Sequence, residues 1–138
     1  MSFSFENYLR AHALTFKGRA TRSEFWSYYG FTAIYALVLG ALAVLSMEYL
    51  PDIFGQIFLI VLMLFGIYAT VFSIPVSIRR LHDTGKPGMI YAGYLLISIA
   101  ANFLQPLLLI QFIFNIVMLV FFCEKSDPGT NRYGPSPQ

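Results

Sequence analysis

The side chains that could bind an anion or move a proton are concentrated in one internal segment, Arg79-Arg80-Leu81-His82-Asp83. Two neighbouring guanidinium groups can bind phosphate or carboxylate oxygens through several N–H donors. A histidine ordinarily titrates near neutral pH, so His82 could act as a base. Adjacent residues of a helix do not face each other, however, so Asp83 is badly placed to orient that base. We therefore expect His82 to bond to a carbonyl group, with a catalytic role as the alternative.

Two further polar motifs lie far from this segment in sequence. They are Gly18-Arg19-Ala20-Thr21-Arg22-Ser23-Glu24 and Gly129-Thr130-Asn131-Arg132-Tyr133-Gly134. Because an anionic membrane surface would repel Glu24 and Asp83, we expect one of them to contact an arginine of a different motif. The predicted members of one polar cluster, which could also bind anions or headgroups, are Arg19, Arg22, Glu24, Arg79, Arg80, His82, Asp83, Asn131 and Arg132. The alternative for the arginines is that they only set the topology and anchor the chain in headgroups.

The sequence contains no recognisable catalytic or metal-binding set. No further set of His, Cys, Asp or Glu residues with metal-ligand spacing accompanies His12 and His82. The sequence also has no glycine-rich phosphate loop and no nucleophile motif. The lone Cys123 excludes an internal disulfide. We therefore predict no catalytic residues, no metal and no cofactor.

The composition is that of a membrane protein. Hydrophobic residues make up 57% of the 138 residues and charged residues only 12%, against about 25% charged residues in ordinary soluble domains. The mean hydropathy is +0.65. The formal net charge of +2 is too small to indicate nucleic acid as a partner. The N-terminus has no uninterrupted apolar core, so we do not expect a cleavable signal peptide.

We predict a single domain over 1–138, an all-α integral membrane protein with four transmembrane helices and an N-terminal interfacial amphipathic helix. Thr21 and Glu24 form a capping box that starts the first transmembrane helix near Arg22. Pro75 is expected to kink the second helix, and Pro106 to separate the third from the fourth. The predicted segments are 3–16 (interfacial), 22–47, 53–78, 89–104 and 106–123 (transmembrane), and 124–138 (tail).

The last two apolar segments are shorter than the ~20 residues that usually cross a bilayer, so a re-entrant hairpin is an alternative. Gln111 and Asn115 share one helix face, and we expect them to hydrogen-bond to a neighbouring helix. A pore-lining role is the alternative.

Four crossings place every basic residue on one side of the membrane. The nine Lys and Arg residues are Arg10, Lys17, Arg19, Arg22, Arg79, Arg80, Lys86, Lys125 and Arg132. The opposite side carries only Glu48 and Asp52. Because basic loops stay in the cytoplasm, we predict that both termini are cytoplasmic.

The three polar motifs resemble those of the domain-of-unknown-function 805 family of small bacterial inner-membrane proteins. The resemblance extends from about Phe5 to Pro137. The matching motifs are Phe16-Lys17-Gly18-Arg19-Ala20-Thr21-Arg22-Ser23-Glu24-Phe25-Trp26, then Arg79-Arg80-Leu81-His82-Asp83-Thr84-Gly85 preceded by Pro75, then Gly129-Thr130-Asn131-Arg132-Tyr133-Gly134-Pro135. The sequence differs at Met89 and Ile90, where the family has tryptophans, and near Pro106, where it has more Pro and Gly. The resemblance implies a multi-pass protein of the bacterial inner membrane but no activity.

The leading functional hypothesis is a non-enzymatic membrane protein whose cytoplasmic polar cluster organises the bundle and docks anionic lipid headgroups or a membrane-protein partner. A transporter or channel component, acting as a homo-oligomer, is one alternative. An enzyme acting on lipid headgroups, with His82 as base and the arginines as an anion clamp, is another.

Overall fold

The computed structural model describes residues 3–137, and these residues contain helices but no strand. The five helices are α1 (Phe5–Ala11), α2 (Arg22–Tyr49), α3 (Asp52–Asp83), α4 (Met89–Ala101) and α5 (Leu107–Cys123). The prediction of an all-α chain is thus confirmed over the described range. The last residue of the predicted tail, 138, lies outside it.

Helix α1 is shorter than the helix predicted over 3–16. It begins after Ser4, whose side chain accepts a hydrogen bond from the Asn7 backbone N–H, and its C-cap is His12. Farther along, Gly18 has a φ of +86°, which a helix cannot accommodate. Residues 12–21, between α1 and α2, form a loop without further helix.

Helices α2 and α3 form a long hairpin. The predicted capping box is present: the Thr21 hydroxyl accepts from the Glu24 backbone N–H, and the Glu24 carboxylate accepts from the Thr21 N–H at 2.8 Å. At 1.5 Å per residue, the 28 residues of α2 and 32 residues of α3 extend about 42 and 48 Å. Pro75 lies within α3, which continues through the charged segment to Asp83.

Helices α4 and α5 form a second, shorter hairpin. The Tyr94 hydroxyl donates to Asn115 Oδ1 at 2.9 Å, and the Ser98 hydroxyl donates to Gln111 Oε1 at 3.1 Å. The prediction that Gln111 and Asn115 hydrogen-bond to a neighbouring helix is therefore confirmed. Helix α4 ends three residues before the predicted end at 104, because the chain turns at Asn102 ahead of the bend before α5.

The side chains buried within the protein lie mostly at the end of the bundle where α3 finishes. In the most hydrophobic part of α3 no residue is buried, and large apolar side chains such as Leu37 of α2, 73% exposed, face outward. The apolar core cluster comprises Tyr8, Ala11, Ala20, Phe25, Tyr28, Val76, Leu81, Tyr91, Met118 and Phe122. Helices with this outward apolar surface require lipid around them.

Candidate functional site

Three segments meet around the last turn of α3. The Ala20 backbone N–H donates to the Arg79 carbonyl at 3.0 Å, which joins the N-terminal loop to α3. The Asp127 N–H donates to the Asp83 carbonyl at 2.9 Å, which joins the tail to the same turn. The chain leaves α3 through Gly85, whose φ of +73° favours glycine. The three polar motifs of the sequence therefore lie together at one end of the bundle.

Asp83 is the centre of this arrangement. Its Oδ1 accepts from Arg19 Nε at 2.9 Å, and its Oδ2 accepts from Arg80 Nη1 and from the Ser126 hydroxyl. The Asp83 and Arg80 side chains are fully buried and that of Arg19 is nearly so. The predicted contact between Asp83 and an arginine of a different motif is present, and a second arginine shares the same carboxylate.

The remaining Arg19 donors bind the backbone of the tail. Its Nη1 donates to the Gly129 carbonyl at 2.7 Å, and its Nη2 donates to the Asp127 carbonyl at 2.6 Å. Nη2 also lies 3.3 Å from the Asp83 carbonyl. One guanidinium therefore connects the loop before α2, the end of α3 and the tail.

Arg80 connects α3 to the end of α5. Its Nε donates to the Phe122 carbonyl at 3.1 Å, and its Nη2 donates to the Glu124 carbonyl. Burial lowers the pKa of Arg80, while the charge of Asp83 raises it and that of Arg22 lowers it further. The side chain thus contributes a paired charge that has been removed from water.

His82 bonds to a carbonyl group, as expected. Its Nδ1 lies 3.2 Å from the Gly18 carbonyl oxygen, so Nδ1 carries the donated proton. The ring stacks on Tyr133, with 3.7 Å between ring centroids and 7° between planes. Asn131 Nδ2 donates to the His82 carbonyl at 2.9 Å. Burial lowers the pKa of His82, the Gly18 bond raises it, and Arg132 lowers it.

Arg79 is buried but does not contact Asp83. Its Nη2 donates to the Ala11 carbonyl at 2.9 Å, which fixes the end of α1. Its Nε has no hydrogen-bond partner among the described residues. Burial lowers the pKa of Arg79, and the charge of Glu24 raises it. Its role in the structure is to hold α1 against α3.

The other predicted members lie at the edge of this cluster. Glu24 caps α2, and Arg22 is partly exposed. The exposed Arg132 donates to the Gly85 carbonyl at 3.0 Å, with its guanidinium 4.7 Å from the Tyr133 ring centroid.

Ser126, Asp127 and the tail carbonyls that accept from the arginines were not among the predicted members of the cluster. Only the turn residues near Asp127 and Gly129 indicated that the tail folds back.

The chemistry available to the buried arginines is limited by these contacts. Every nitrogen of Arg19 and Arg80 already donates to an oxygen of the protein. Burial and these bonds leave the two guanidinium groups little capacity to bind a further anion. Within residues 3–137, no group of three or more His, Cys, Asp or Glu side chains could hold a metal ion.

A helical chain whose apolar helices face outward and whose polar ends gather in one buried cluster is a small membrane protein. Comparison with known sequences gives the family: the DUF805 family, a "protein of unknown function" family, matches residues 13–135, and the chain belongs to it. The inner membrane protein YhaI of Escherichia coli K12 is 32% identical over 123 residues, covering 89% of this chain and 86% of YhaI. The inner membrane protein YhaH of the same strain is 32% identical over 130 residues, covering 89% and 87%. No solved structure matches the chain.

Proposed function

We propose that the chain crosses the bacterial inner membrane four times and that both termini lie in the cytoplasm. Support comes from the two hairpins, which return the chain to the end of the bundle that holds the polar cluster. The arginines of the N-terminal loop, of the end of α3 and of the tail all lie at this end, whereas Glu48 and Asp52 flank the opposite turn of the α2–α3 hairpin. Basic residues mark the cytoplasmic side.

The α4–α5 hairpin is the shortest part of this topology. The 13 residues of α4 extend about 20 Å, less than the ~30 Å of a hydrocarbon core. In the four-crossing form, the turn at 102–106 reaches the far interface because the bilayer thins around it. In the re-entrant form, the turn stays inside the membrane.

Cysteine labelling tests both points. In a Cys123→Ser background, Glu48→Cys, Gln105→Cys and Ser136→Cys are treated with a membrane-impermeant maleimide in spheroplasts. We expect labelling at 48 and 105, and at 136 only after the membrane is permeabilised. Protection at 105 with labelling at 48 would overturn four crossings but keep the orientation. Labelling of intact spheroplasts at 136 would overturn the cytoplasmic termini.

We further propose that the polar cluster organises the bundle and has no catalytic role. The observation that carries this proposal is the Asp83 carboxylate shared by Arg19 and Arg80, whose other donors bind the tail and the end of α5. His82 is occupied by Gly18 and Tyr133, which favours a structural role over that of a base. The hydrogen bonds between α4 and α5 likewise account for Gln111 and Asn115 without a pore.

Limited proteolysis tests the organising role. Trypsin cuts after Lys125 and Arg132, so its rate in inverted membrane vesicles reports how firmly the tail is held. We expect Arg19→Gln to increase cleavage of the tail about tenfold, because the charge-assisted hydrogen bonds to the Asp127 and Gly129 carbonyls are lost. Arg10→Gln is the control, because Arg10 is exposed and pairs only with Glu6. Equal cleavage in wild type and Arg19→Gln would contradict the proposal.

Docking of anionic headgroups belongs, in this proposal, to the exposed basic side chains around the cluster, such as Lys17 and Lys125. A base near an anionic surface contributes about 1 kcal/mol. We expect Lys17→Gln combined with Lys125→Gln to lower the phosphatidylglycerol content of lipid co-extracted in polymer discs. An unchanged lipid composition would instead assign the basic surface to a protein partner or to topology alone.

A further inference from the structure

A cleft with a volume of about 240 Å³ lies between α2, α4 and α5. Six aromatic side chains form much of its wall: Phe25, Trp26, Tyr29, Tyr91, Tyr94 and Phe122. Its volume is below the ~300–1,000 Å³ of typical small-molecule pockets, which suits a slim hydrocarbon chain better than a bulky ring system.

The polar atoms of this wall are largely satisfied within the protein. The Tyr29 and Ser77 hydroxyls are 3.0 Å apart, and the Tyr94 hydroxyl donates to Asn115. The surface offered to a ligand is therefore mainly apolar. In a bilayer the neighbours available to fill such a cleft are lipid acyl chains, which gain van der Waals contacts there.

The cleft extends to the polar end of the bundle, because Phe25 lies in the first turn of α2 and Phe122 in the last turn of α5. Arg22 precedes Phe25, Trp26 and Tyr29 by three, four and seven positions, the spacing of one helix face. Arg22 is not part of the lining, but it lies on the same helix face one turn beyond Phe25, towards the polar cluster.

Arg22 is a cation without an acidic partner. It is partly exposed, and none of residues 3–137 forms a hydrogen bond or ion pair with its side chain. Glu24 is two positions away, about 200° around the helix, and its carboxylate is bonded to the Thr21 N–H. The nearby Arg80 adds a repulsive positive charge. An anion beside Arg22 would remove this imbalance.

We propose that the cleft holds one acyl chain of an anionic phospholipid whose phosphate pairs with Arg22. This inference rests on the proposed membrane orientation and gives the headgroup docking a defined site. Apolar contacts hold the chain of any phospholipid, whereas Arg22 selects a lipid with net negative charge over a zwitterionic one.

Native mass spectrometry of the full-length protein, released from mild detergent, tests the site. Phosphatidylglycerol and phosphatidylcholine with identical chains are the two probes. Arg22→Gln is expected to weaken phosphatidylglycerol binding about fivefold and phosphatidylcholine binding by less, because the choline ammonium offsets part of the phosphate charge that Arg22 contacts. Leu119→Trp is expected to weaken both lipids about tenfold, because Leu119 lines the cleft and the larger ring fills it.

Two control variants match these changes. Arg10→Gln removes one exposed positive charge remote from the cleft, and Val120→Trp adds the same ring to α5 at an exposed position outside the lining. Both controls should bind as wild type does, and circular dichroism establishes that all four variants keep their helices. If the Leu119→Trp variant loses helix, Leu119→Phe replaces it.

The outcomes separate this inference from the proposed function. If Arg22→Gln weakens binding but Leu119→Trp does not, headgroup docking stands and the chain-binding cleft is overturned. If neither substitution changes lipid binding, the lipid site is overturned. The organising role of the polar cluster is unaffected by that result, because the trypsin experiment tests it separately. If wild type forms a dimer that excludes lipid and Leu119→Trp makes it monomeric, a second copy fills the cleft and the lipid site is wrong.

Discussion

The two ends of the α2–α3 hairpin are held by different interactions. At the end marked by Asp83, charged side chains are buried and each connects several segments. At the opposite end, near Ser46 and Gly55, burial is limited to small residues, and the apolar side chains around them face outward. The Ser46 hydroxyl donates to the Ala43 carbonyl of its own helix.

This difference follows from the surroundings that each end requires. The half of the hairpin that contains Ser46 and Gly55, called the far half below, needs little internal core because lipid surrounds its outward apolar side chains. Its helices satisfy their own backbone hydrogen-bonding groups. The polar end contains charges that are costly to bury unless they are paired. We infer that the far half supplies insertion into the membrane, whereas the polar end fixes how the segments are arranged.

Asp83→Asn should break the polar end most severely. The substitution keeps the shape of the side chain but leaves Arg19 and Arg80 buried without their carboxylate. Removing one partner of a buried ion pair costs about 3–5 kcal/mol. The free energy of unfolding, measured by titrating detergent-solubilised protein with SDS, should fall by about that amount.

Glu6→Gln is the matched control for Asp83→Asn. It also removes a carboxylate paired with an arginine, but the Arg10 and Glu6 side chains are 57% and 73% exposed. Such pairs contribute less than about 1 kcal/mol. Equal effects of the two substitutions would show that burial of the Asp83 cluster does not matter for stability.

Arg80→Lys should have an intermediate effect. Lysine keeps the charge but cannot donate at once in the directions of Asp83, Phe122 and Glu124, which Arg80 contacts. Two lost hydrogen bonds at about 1 kcal/mol each predict a loss of roughly 2 kcal/mol in the same SDS titration. Trypsin cleavage after Lys125 should also be faster. A variant as stable as wild type would mean that a positive charge is enough to hold the tail and that the planar guanidinium group is not required.

Acidification should weaken the polar end by a smaller amount. The pKa of His82 is lowered in the folded protein, mainly by burial, so the unfolded chain takes up the proton first. The stability that neutral His82 contributes is therefore fully present above about pH 6.5, the ordinary pKa of histidine. This contribution declines as the pH falls below that value. Melting temperatures between pH 8 and pH 5 should show this decline.

His82→Asn removes the titrating ring and keeps a donor for the Gly18 carbonyl, so its pH dependence should be shallower than that of wild type. Arg132→Gln should also reduce the slope, because Arg132 lowers the pKa of His82. Parallel melting curves for wild type and His82→Asn would assign the decline to other groups.

The sequence predicted the parts of this structure that depend on residue type. The capping box at Thr21, the pairing of Asp83 with an arginine and the hydrogen bonds of Asn115 each follow from a side chain that requires a particular partner. An acid near an anionic surface, or an amide in an apolar helix, is costly without that partner.

The parts that could not be predicted depend on the backbone. Arg19 and Arg80 donate mostly to carbonyl groups of the tail and of α5, and every residue has a carbonyl. The sequence therefore did not indicate that Arg19 and Arg80 are buried, or that they connect segments of the protein instead of anchoring it in headgroups. The length of α1 was similarly hidden, because its apolar pattern continues to Phe16 while the helix stops at Ala11.

Gly66→Ala should have the smallest effect and test the far half directly. A Cβ at Gly66 would meet no atom within 4 Å, so it faces lipid without a clash. Alanine favours a helix over glycine by up to about 1 kcal/mol, so the change should be neutral or slightly stabilising in the SDS titration. The same substitution at Gly85 reverses the sign, because φ there is +73° and the new Cβ would lie 2.6 Å from Asp127 Oδ2. Destabilisation by Gly66→Ala equal to that by Gly85→Ala would refute the contrast between the two ends, since it would require close packing where the structure has open space.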